Sequence, residues 1–122
     1  MARLTILREL TELNAVPIAR TFVEGAKVII ELDDGNRKIR LAFSPYQALR
    51  VTTADCFAVP EGMMITPRTI MEVEESDWIA ELKKSLAEVD AMADFMDKSR
   101  HFLVPAYDHF IEIAAWSVKH EN

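Results

Sequence analysis

The alternating pattern between residues 26 and 43 is the feature that most limits the fold of this chain. Apolar residues occupy every second position on both sides of the tetrad Asp33-Asp34-Gly35-Asn36. These apolar positions are Val28, Ile30, Leu32, Ile39, Leu41 and Phe43. Alternation of this kind indicates strands with one buried face, and an Asp-Gly pair between two such strands is typical of a β-hairpin. The sequence therefore predicts a hairpin over residues 26–43.

The register of this hairpin follows from the two faces that the alternation defines. We expect a type I′ turn with Asp34-Gly35 at its tip. This turn pairs Ile30 with Ile39 on one face. On the other face it pairs Glu31 with Lys38, which carry opposite charges. A loop longer by one residue would mix the two faces, so we predict the two-residue loop.

Residues 76–98 show the clearest helical period in the sequence. Six apolar residues recur at spacings of three and four, which is typical of an amphipathic helix. They are Ile79, Leu82, Leu86, Val89, Ala93 and Met96. Ser76 precedes them and is a suitable N-cap, because its hydroxyl can accept a hydrogen bond from a free backbone N–H. We predict one long helix over residues 77–98.

Weaker patterns complete the predicted secondary structure. Residues 1–13 carry leucine at every third position from Leu4, which favours a helix, and Ser44-Pro45 favours a turn. Short strands are predicted at 48–53, 68–73, 102–104 and 110–118, with an irregular connection over 54–67. Together these elements predict a single α+β domain, residues 1–122, in which a mostly antiparallel sheet of about five strands carries one long amphipathic helix packed on one face.

Composition and charge narrow the class of protein. Half of the 122 residues are hydrophobic, Cys56 is the one cysteine, and the net charge is −6. No apolar run approaches the roughly 20 residues that span a bilayer, and a lone cysteine forms no internal disulfide. We therefore predict a soluble cytoplasmic protein with no membrane association. Residues 62–122 carry 12 acidic against 6 basic residues, which opposes nucleic-acid binding and suits a basic protein partner.

Motifs for common chemistry are absent from the sequence. It contains no glycine-rich phosphate loop, no Cys-x-x-Cys, no His-Glu-x-x-His and no Gly-x-Ser-x-Gly nucleophile elbow. We therefore predict no cofactor, no bound metal and no catalytic residue, which favours a non-enzymatic protein. A site assembled from residues distant in the sequence stays compatible with this pattern.

Arg50 and Glu112 are the first candidate site residues. Glu112 interrupts the apolar strand predicted at 110–118, and Arg50 interrupts the short strand at 48–53. A buried carboxylate needs a partner, or its pKa rises until it becomes neutral. Arginine suits this role because its planar fork can form two bonds to a carboxylate. The pair is predicted either as an internal ion pair or as part of a ligand-binding site.

Asp108, His109 and His101 form a second candidate cluster. A histidine near an acid can act as a general base or bind a metal. Asp108 and His109 fall in a predicted turn, however, where aspartate commonly bonds to its own backbone, and adjacent strand residues point to opposite faces. The turn interpretation is the simpler one. Asp108 and His109 are retained as candidate ligand-binding residues.

Trp78 and Trp116 are the candidate interface residues. Tryptophan is enriched where protein surfaces meet, so both would be anchors if the chain forms a homodimer. The alternative is that both belong to the core. Cys56 follows Asp55 and has no neighbouring cation in the sequence, which predicts an unreactive thiol.

Two stretches, 42–51 (AFSPYQALRV) and 101–114 (HFLVPAYDHFIEIA), resemble segments of small uncharacterised bacterial α+β proteins. The resemblance implies no catalytic residues. Some small acidic bacterial proteins of similar build act as immunity partners that block toxins, which is an analogy of fold and size alone.

Three functions are compatible with the sequence. The first is a non-enzymatic protein-interaction module, possibly homodimeric. The second is a small-molecule-binding protein or minor enzyme with a site around Arg50, Glu112, Asp108 and His109, which requires a concave pocket lined by those side chains. The third is an immunity-type inhibitor of a basic partner protein.

Overall fold

Seven antiparallel strands form one sheet in the computed structural model, which describes residues 2–59 and 62–121. The strands are β1 (Arg3–Glu9), β2 (Ile18–Glu24), β3 (Lys27–Asp33), β4 (Lys38–Thr53), β5 (Thr69–Glu74), β6 (Arg100–Pro105) and β7 (His109–Glu121). Their order across the sheet is β1-β5-β6-β7-β4-β3-β2. Within the described ranges the one α-helix is α1 (Asp77–Val89), and 3₁₀ turns occur at Ala54–Cys56 and Phe95–Lys98.

Strand β7 lies in the middle of the sheet and pairs with β6 on one side and β4 on the other. It is apolar on both faces over most of its first half, as expected of a strand that is covered on both sides. One face of the sheet carries the larger core, in which the Phe43 and Phe102 rings lie 5.3 Å apart between centroids. Leu10 and Leu13, which follow β1, complete this core.

The opposite face of the sheet carries α1. Ile79 of the helix and Met96 of the second 3₁₀ turn pack on Ala114 of β7, next to Ala48 of β4. Alanine at both strand positions leaves room for the helix side chains, since interiors pack without voids. The helix therefore lies over β4 and β7, with its N-terminus close to β6.

The predicted fold class is wrong in its proportions: the sheet has seven strands rather than about five, and the helix is short. The helix predicted over 77–98 ends at Val89, whose side chain is 87% exposed. Asp90 caps this end, and its carboxylate accepts from the backbone N–H of Met92 at 3.1 Å. Aspartate that bonds to nearby backbone competes with helix propagation. The chain turns there and returns Met96 to the sheet.

The helix predicted over residues 1–13 is also wrong, and Met1 lies outside the described residues. Arg3–Glu9 is an edge strand, β1, that pairs with β5. The leucine spacing of three did not reflect a helical face. Leu10 and Leu13 are buried in the segment after β1, whereas Leu7 remains partly exposed. Strand pairing outweighed a short local period, as tertiary context often does.

The hairpin of β3 and β4 forms, but its tip is Gly35-Asn36 rather than Asp34-Gly35. Ile30 therefore lies opposite Leu41 instead of Ile39. The shift of two residues keeps the same side chains on each face. The Asp34 carboxylate favours this turn because it accepts from the backbone N–H groups of Asn36 and Arg37, at 2.8 and 2.7 Å.

The turn predicted at Ser44-Pro45 is absent, because β4 runs through it as one strand of 16 residues. Its peptide bond is cis, and the pairing with β7 shifts register between Tyr46 and Ala48. The predicted strand 48–53 is the second half of β4. The strands predicted at 68–73, 102–104 and 110–118 overlap β5, β6 and β7.

We expect Phe43→Ala to lower the free energy of unfolding by about 3–5 kcal/mol, because it empties a fully buried aromatic site. Urea unfolding followed by circular dichroism measures this change. Tyr107→Ala is the matched control, since Tyr107 is exposed, and it should change stability by less than about 0.5 kcal/mol. Equal effects of the two substitutions would contradict this description of the core.

Candidate functional site

Three neighbouring strands place polar side chains on the face that carries α1. Arg50 of β4 lies directly opposite Glu112 of β7. On the other side of β7, Leu103 of β6 lies opposite Glu112 and His101 lies opposite Ala114. Since side chains alternate between faces, Arg50, Glu112 and His101 share one face, with His101 diagonal to Glu112.

The Glu112 carboxylate is buried and holds two oxygens against the Arg50 guanidinium. Arg50 Nε donates to Oε1 at 2.8 Å and Nη2 donates to Oε2 at 3.0 Å. Glu112 is 3% exposed, whereas the Arg50 side chain is 46% exposed. The guanidinium also lies over the Trp78 ring, 4.3 Å from its centroid. Arg50 therefore contacts the buried Glu112 carboxylate and also reaches the protein surface.

His101 and Ser76 extend this contact into a chain of four polar side chains. His101 Nε2 lies 2.6 Å from Glu112 Oε2, and His101 Nδ1 lies 2.7 Å from Ser76 Oγ. Ser76 caps α1, and its Oγ accepts from the backbone N–H of Ile79 at 3.1 Å. The edge of the His101 ring meets Trp78, with centroids 4.9 Å apart. We call Arg50, Glu112, His101 and Ser76 the polar chain.

The electrostatics of the polar chain keep Glu112 ionised. Burial by itself raises the pKa of Glu112. Hydrogen bonds from His101 and Arg50, together with the charge of Arg50, outweigh burial and lower the pKa from 4.5 to about 2. The pKa of Arg50 is raised in turn, chiefly by its hydrogen bond to Glu112. Opposite charge and hydrogen bonding to the charged form both act in this direction.

A cavity of about 450 Å³ opens beside the polar chain, and all four of its members line it. We call it the Arg50 cavity. Its other walls are mostly apolar and come from β1, β5, β6 and the connection after β4. These apolar residues are Leu4, Phe57, Met63, Ile65, Val73 and Leu103. Ligand sites typically combine an apolar wall with a few converging polar groups.

The structure brings only part of the predicted site together. Arg50 and Glu112 meet, and Trp78 packs on Arg50 within the same cavity. Asp108 and His109 lie outside the described lining of that cavity. They contact one another instead, with Asp108 Oδ1 2.7 Å from His109 Nδ1. That contact lies where the β6–β7 connection enters β7.

Trp116 has a separate structural role. Its indole Nε1 donates to the backbone carbonyl of Phe95 at 3.0 Å. The Lys98 ammonium lies 4.7 Å from the ring centroid. Trp116 thereby fastens the second 3₁₀ turn to β7. Trp78 and Trp116 are both only partly buried, and their predicted role at an interface stays a prediction.

Sequence reasoning missed the connection of Ser76 and His101 to Glu112. Ser76 was sufficiently explained as a helix cap, and His101 was grouped with Asp108 and His109. The available signal was that β6 and β7 are adjacent strands of alternating residues. In that pattern His101 falls on the same face as Glu112 when the two strands pair.

Within the described residues neither a metal-binding cluster nor a membrane-spanning helix is present. No group of three or more histidine, cysteine, aspartate or glutamate side chains there is placed to hold a metal ion. None of the helices described in residues 2–59 and 62–121 has the length and hydropathy needed to cross a membrane.

The free energy of unfolding should depend on pH through the ionisation of Glu112. The folded-state pKa of about 2 lies below the ordinary 4.5, so the ionised form stabilises the fold fully above about pH 4.5, and this stability is lost as pH falls toward about 2. We expect Glu112→Gln to reduce the slope of unfolding free energy against pH by about one proton in that window. Urea titrations across the window measure it.

The matched control for this experiment is Glu88→Gln, which removes an exposed carboxylate from α1 and should leave the slope unchanged. An unchanged slope in Glu112→Gln would show that Glu112 is not the group responsible.

No family model matches the chain, and comparison with curated proteins and with solved structures finds no similar one. The resemblance to small bacterial α+β proteins therefore stays a prediction.

Proposed function

We propose that this protein is a small-molecule-binding domain whose site is the Arg50 cavity. One observation carries the proposal: a buried, ionised carboxylate and its arginine partner open onto a cavity of about 450 Å³ with apolar walls. Burying an ion costs several kcal/mol before its partners compensate. A carboxylate with a strongly shifted pKa beside a concave apolar cavity is a candidate for a binding site.

The chemistry of Arg50 indicates the ligand. Its Nε and Nη2 bond to Glu112, while Nη1 has no hydrogen-bond partner among the described side chains. Arginine recognises carboxylates because its N–H groups lie in one plane. The ligand class that fits is a small molecule with an apolar body, packed on Leu103 and Phe57, and one carboxylate that meets the open edge of Arg50.

Arg100 provides an internal comparison for this proposal. It forms the same two-bond contact, with Nε and Nη2 donating to Glu72 at 2.9 and 2.7 Å. Arg100 is absent from the described lining of the Arg50 cavity. Its substitution therefore separates the general effect of losing an arginine–glutamate contact from the loss of a ligand contact.

We expect hexanoate to bind the protein and Arg50→Lys to weaken that binding by at least about tenfold, since lysine keeps a charge for Glu112 but lacks the second set of donors. Two-dimensional amide NMR gives both the affinity and the position of the ligand. The neutral analogue hexanol should bind both proteins similarly, because it depends on the apolar walls.

Arg100→Lys is the matched control and should bind hexanoate like the wild type. The proposal fails if hexanoate and hexanol leave the resonances of the cavity residues unmoved at millimolar concentration. It also fails if the two lysine variants behave alike.

A second candidate function, self-association or binding of another protein, is supported by the β2 edge. Strand β2 pairs only with β3 in the described part of the chain. Its Ile18 is 63% exposed, and Val23 and the preceding Val16 are exposed as well. An open strand edge with apolar side chains is a template for a further strand. This supports the predicted homodimer. No observation bears on an immunity-type inhibitor.

If the β2 edge joins two copies, the solution mass should rise with concentration toward twice the mass of the chain. Ile18→Lys should hold the protein at the monomer mass, because charge on an edge strand opposes pairing. Light scattering after size exclusion measures this. Val89→Lys, at the exposed end of α1, is the control. A wild-type protein that stays monomeric at high concentration would contradict the proposed homodimer.

A further inference from the structure

We propose that Ser76 is the nucleophile of an acyl-transfer site that hydrolyses esters of small apolar carboxylic acids in the Arg50 cavity. The inference rests on the proposed function, because it assigns the same cavity to the ester substrate and to its carboxylic acid product. It adds a covalent step, and that step can be tested separately from binding.

The order of hydrogen bonds from Ser76 to Glu112 is that of an activated serine. Ser76 Oγ lies 2.7 Å from His101 Nδ1, and His101 Nε2 lies 2.6 Å from Glu112 Oε2. With the proton on Nε2, the imidazole donates to the carboxylate and accepts the serine proton at Nδ1. A nucleophile within reach of a base that is oriented by a third group is the general signature of such sites.

The burial of the three residues suits these roles. Glu112 and His101 are buried, and Ser76 is only partly buried. Glu112 and His101 are thus fixed by their surroundings, while Ser76 lines a cavity large enough for a small ester. Oγ already accepts one bond from the N–H of Ile79. A hydroxyl oxygen has two lone pairs, so one remains for attack on a carbonyl.

The backbone around Ser76 forms a sharp strand-to-helix turn. Strand β5 ends at Glu74, Glu75 has a φ of +56°, and α1 begins at Asp77. A residue other than glycine is uncommon in the left-handed backbone region, and such residues concentrate at functional sites. A nucleophile between a strand and a helix is also exposed at the head of the helix. Here the turn forms without the glycines that a sequence motif would require.

The first turn of α1 supplies donors for the negative charge that develops on the substrate oxygen. The first backbone N–H groups of a helix have no acceptor within the helix. In this helix the N–H of Ile79 is taken by Ser76, and Asp77 immediately follows the serine. The N–H of the residue after a nucleophile commonly contributes to an oxyanion hole, and such donors give large rate effects.

The reaction balances without any further reagent than water. Ser76 Oγ bonds to the acyl carbon as its proton moves to His101 Nδ1, and the carbonyl electron pair moves onto the oxygen. That pair re-forms the carbonyl, the bond from the acyl carbon to the alcohol oxygen breaks, and the alkoxide takes the proton from Nδ1. Water then attacks the acyl-serine by the same route and releases the carboxylic acid. Arg50 is placed to hold the product carboxylate.

The test is covalent labelling of the folded protein with an alkyl fluorophosphonate, followed by mass mapping of the modified peptide, and hydrolysis of p-nitrophenyl butyrate. Wild type should gain one label on Ser76, and protein that is unfolded in urea before the reagent is added should gain none. Ser76→Asn and Ser76→Gly both remove the hydroxyl and keep an acceptable helix cap. Each should lower labelling and hydrolysis by at least about 100-fold.

Ser117→Ala is the control, because it removes an exposed serine of β7. In the wild type, Ser117 should be labelled no more than background. Hexanoate binding is measured on the same samples. Binding without labelling of the wild type would overturn the nucleophile and leave the binding function standing. Loss of both would overturn both. Labelling that maps elsewhere, or that persists in the two Ser76 variants, would also overturn the nucleophile.

Discussion

The Glu112 carboxylate sets the arrangement of the whole helix-side face. It is an ion in the middle strand of the sheet, and its two oxygens receive bonds from strands on both sides, Arg50 of β4 and His101 of β6. An unpaired charge there would be strongly destabilising. The two flanking strands are therefore held in register with β7. Through Ser76 the same carboxylate also fixes the start of α1.

This arrangement explains why the cavity lies where it does. Close to the polar chain, Trp78 of α1 meets the Arg50 guanidinium of β4. Further along, Ala48 and Ala114 permit close contact with the helix. The Arg50 cavity lies at the Arg50–Trp78 end, where Phe57 and Met63 of the connection after β4 also line it.

Part of this site was predictable from the sequence, and the reason is physical. A charged residue that interrupts an apolar strand needs a partner, and the same reasoning singled out both Glu112 and Arg50. His101 and Ser76 were beyond that reasoning. Their contacts depend on which strands are neighbours, and sheet order is set by the whole chain. The role of Ser76 as a helix cap already accounts for a serine at this position, so the sequence does not indicate a second role.

The errors in the predicted fold have a common origin, because each prediction relied on local sequence patterns. The leucine spacing before Leu13 is compatible with a helix, but pairing with β5 makes Arg3–Glu9 a strand. The helical spacing of apolar residues continues in the sequence beyond Val89, but Asp90 ends the helix. In the hairpin, Asp34 moved the turn tip by one residue. In each case one side chain or one distant strand outweighed a periodic pattern.

The order of the strands has a consequence for how the chain acquires its structure. β1 and β2 are consecutive in sequence yet lie at opposite edges, and β7, the last of the seven in chain order, lies in the middle. The β2-β3-β4 meander and the β1-β5-β6 group have no backbone pairing with one another, because β7 lies between them in the sheet. Contacts between residues far apart in sequence slow folding. The strand that carries Glu112 is thus the one that joins the two halves of the sheet.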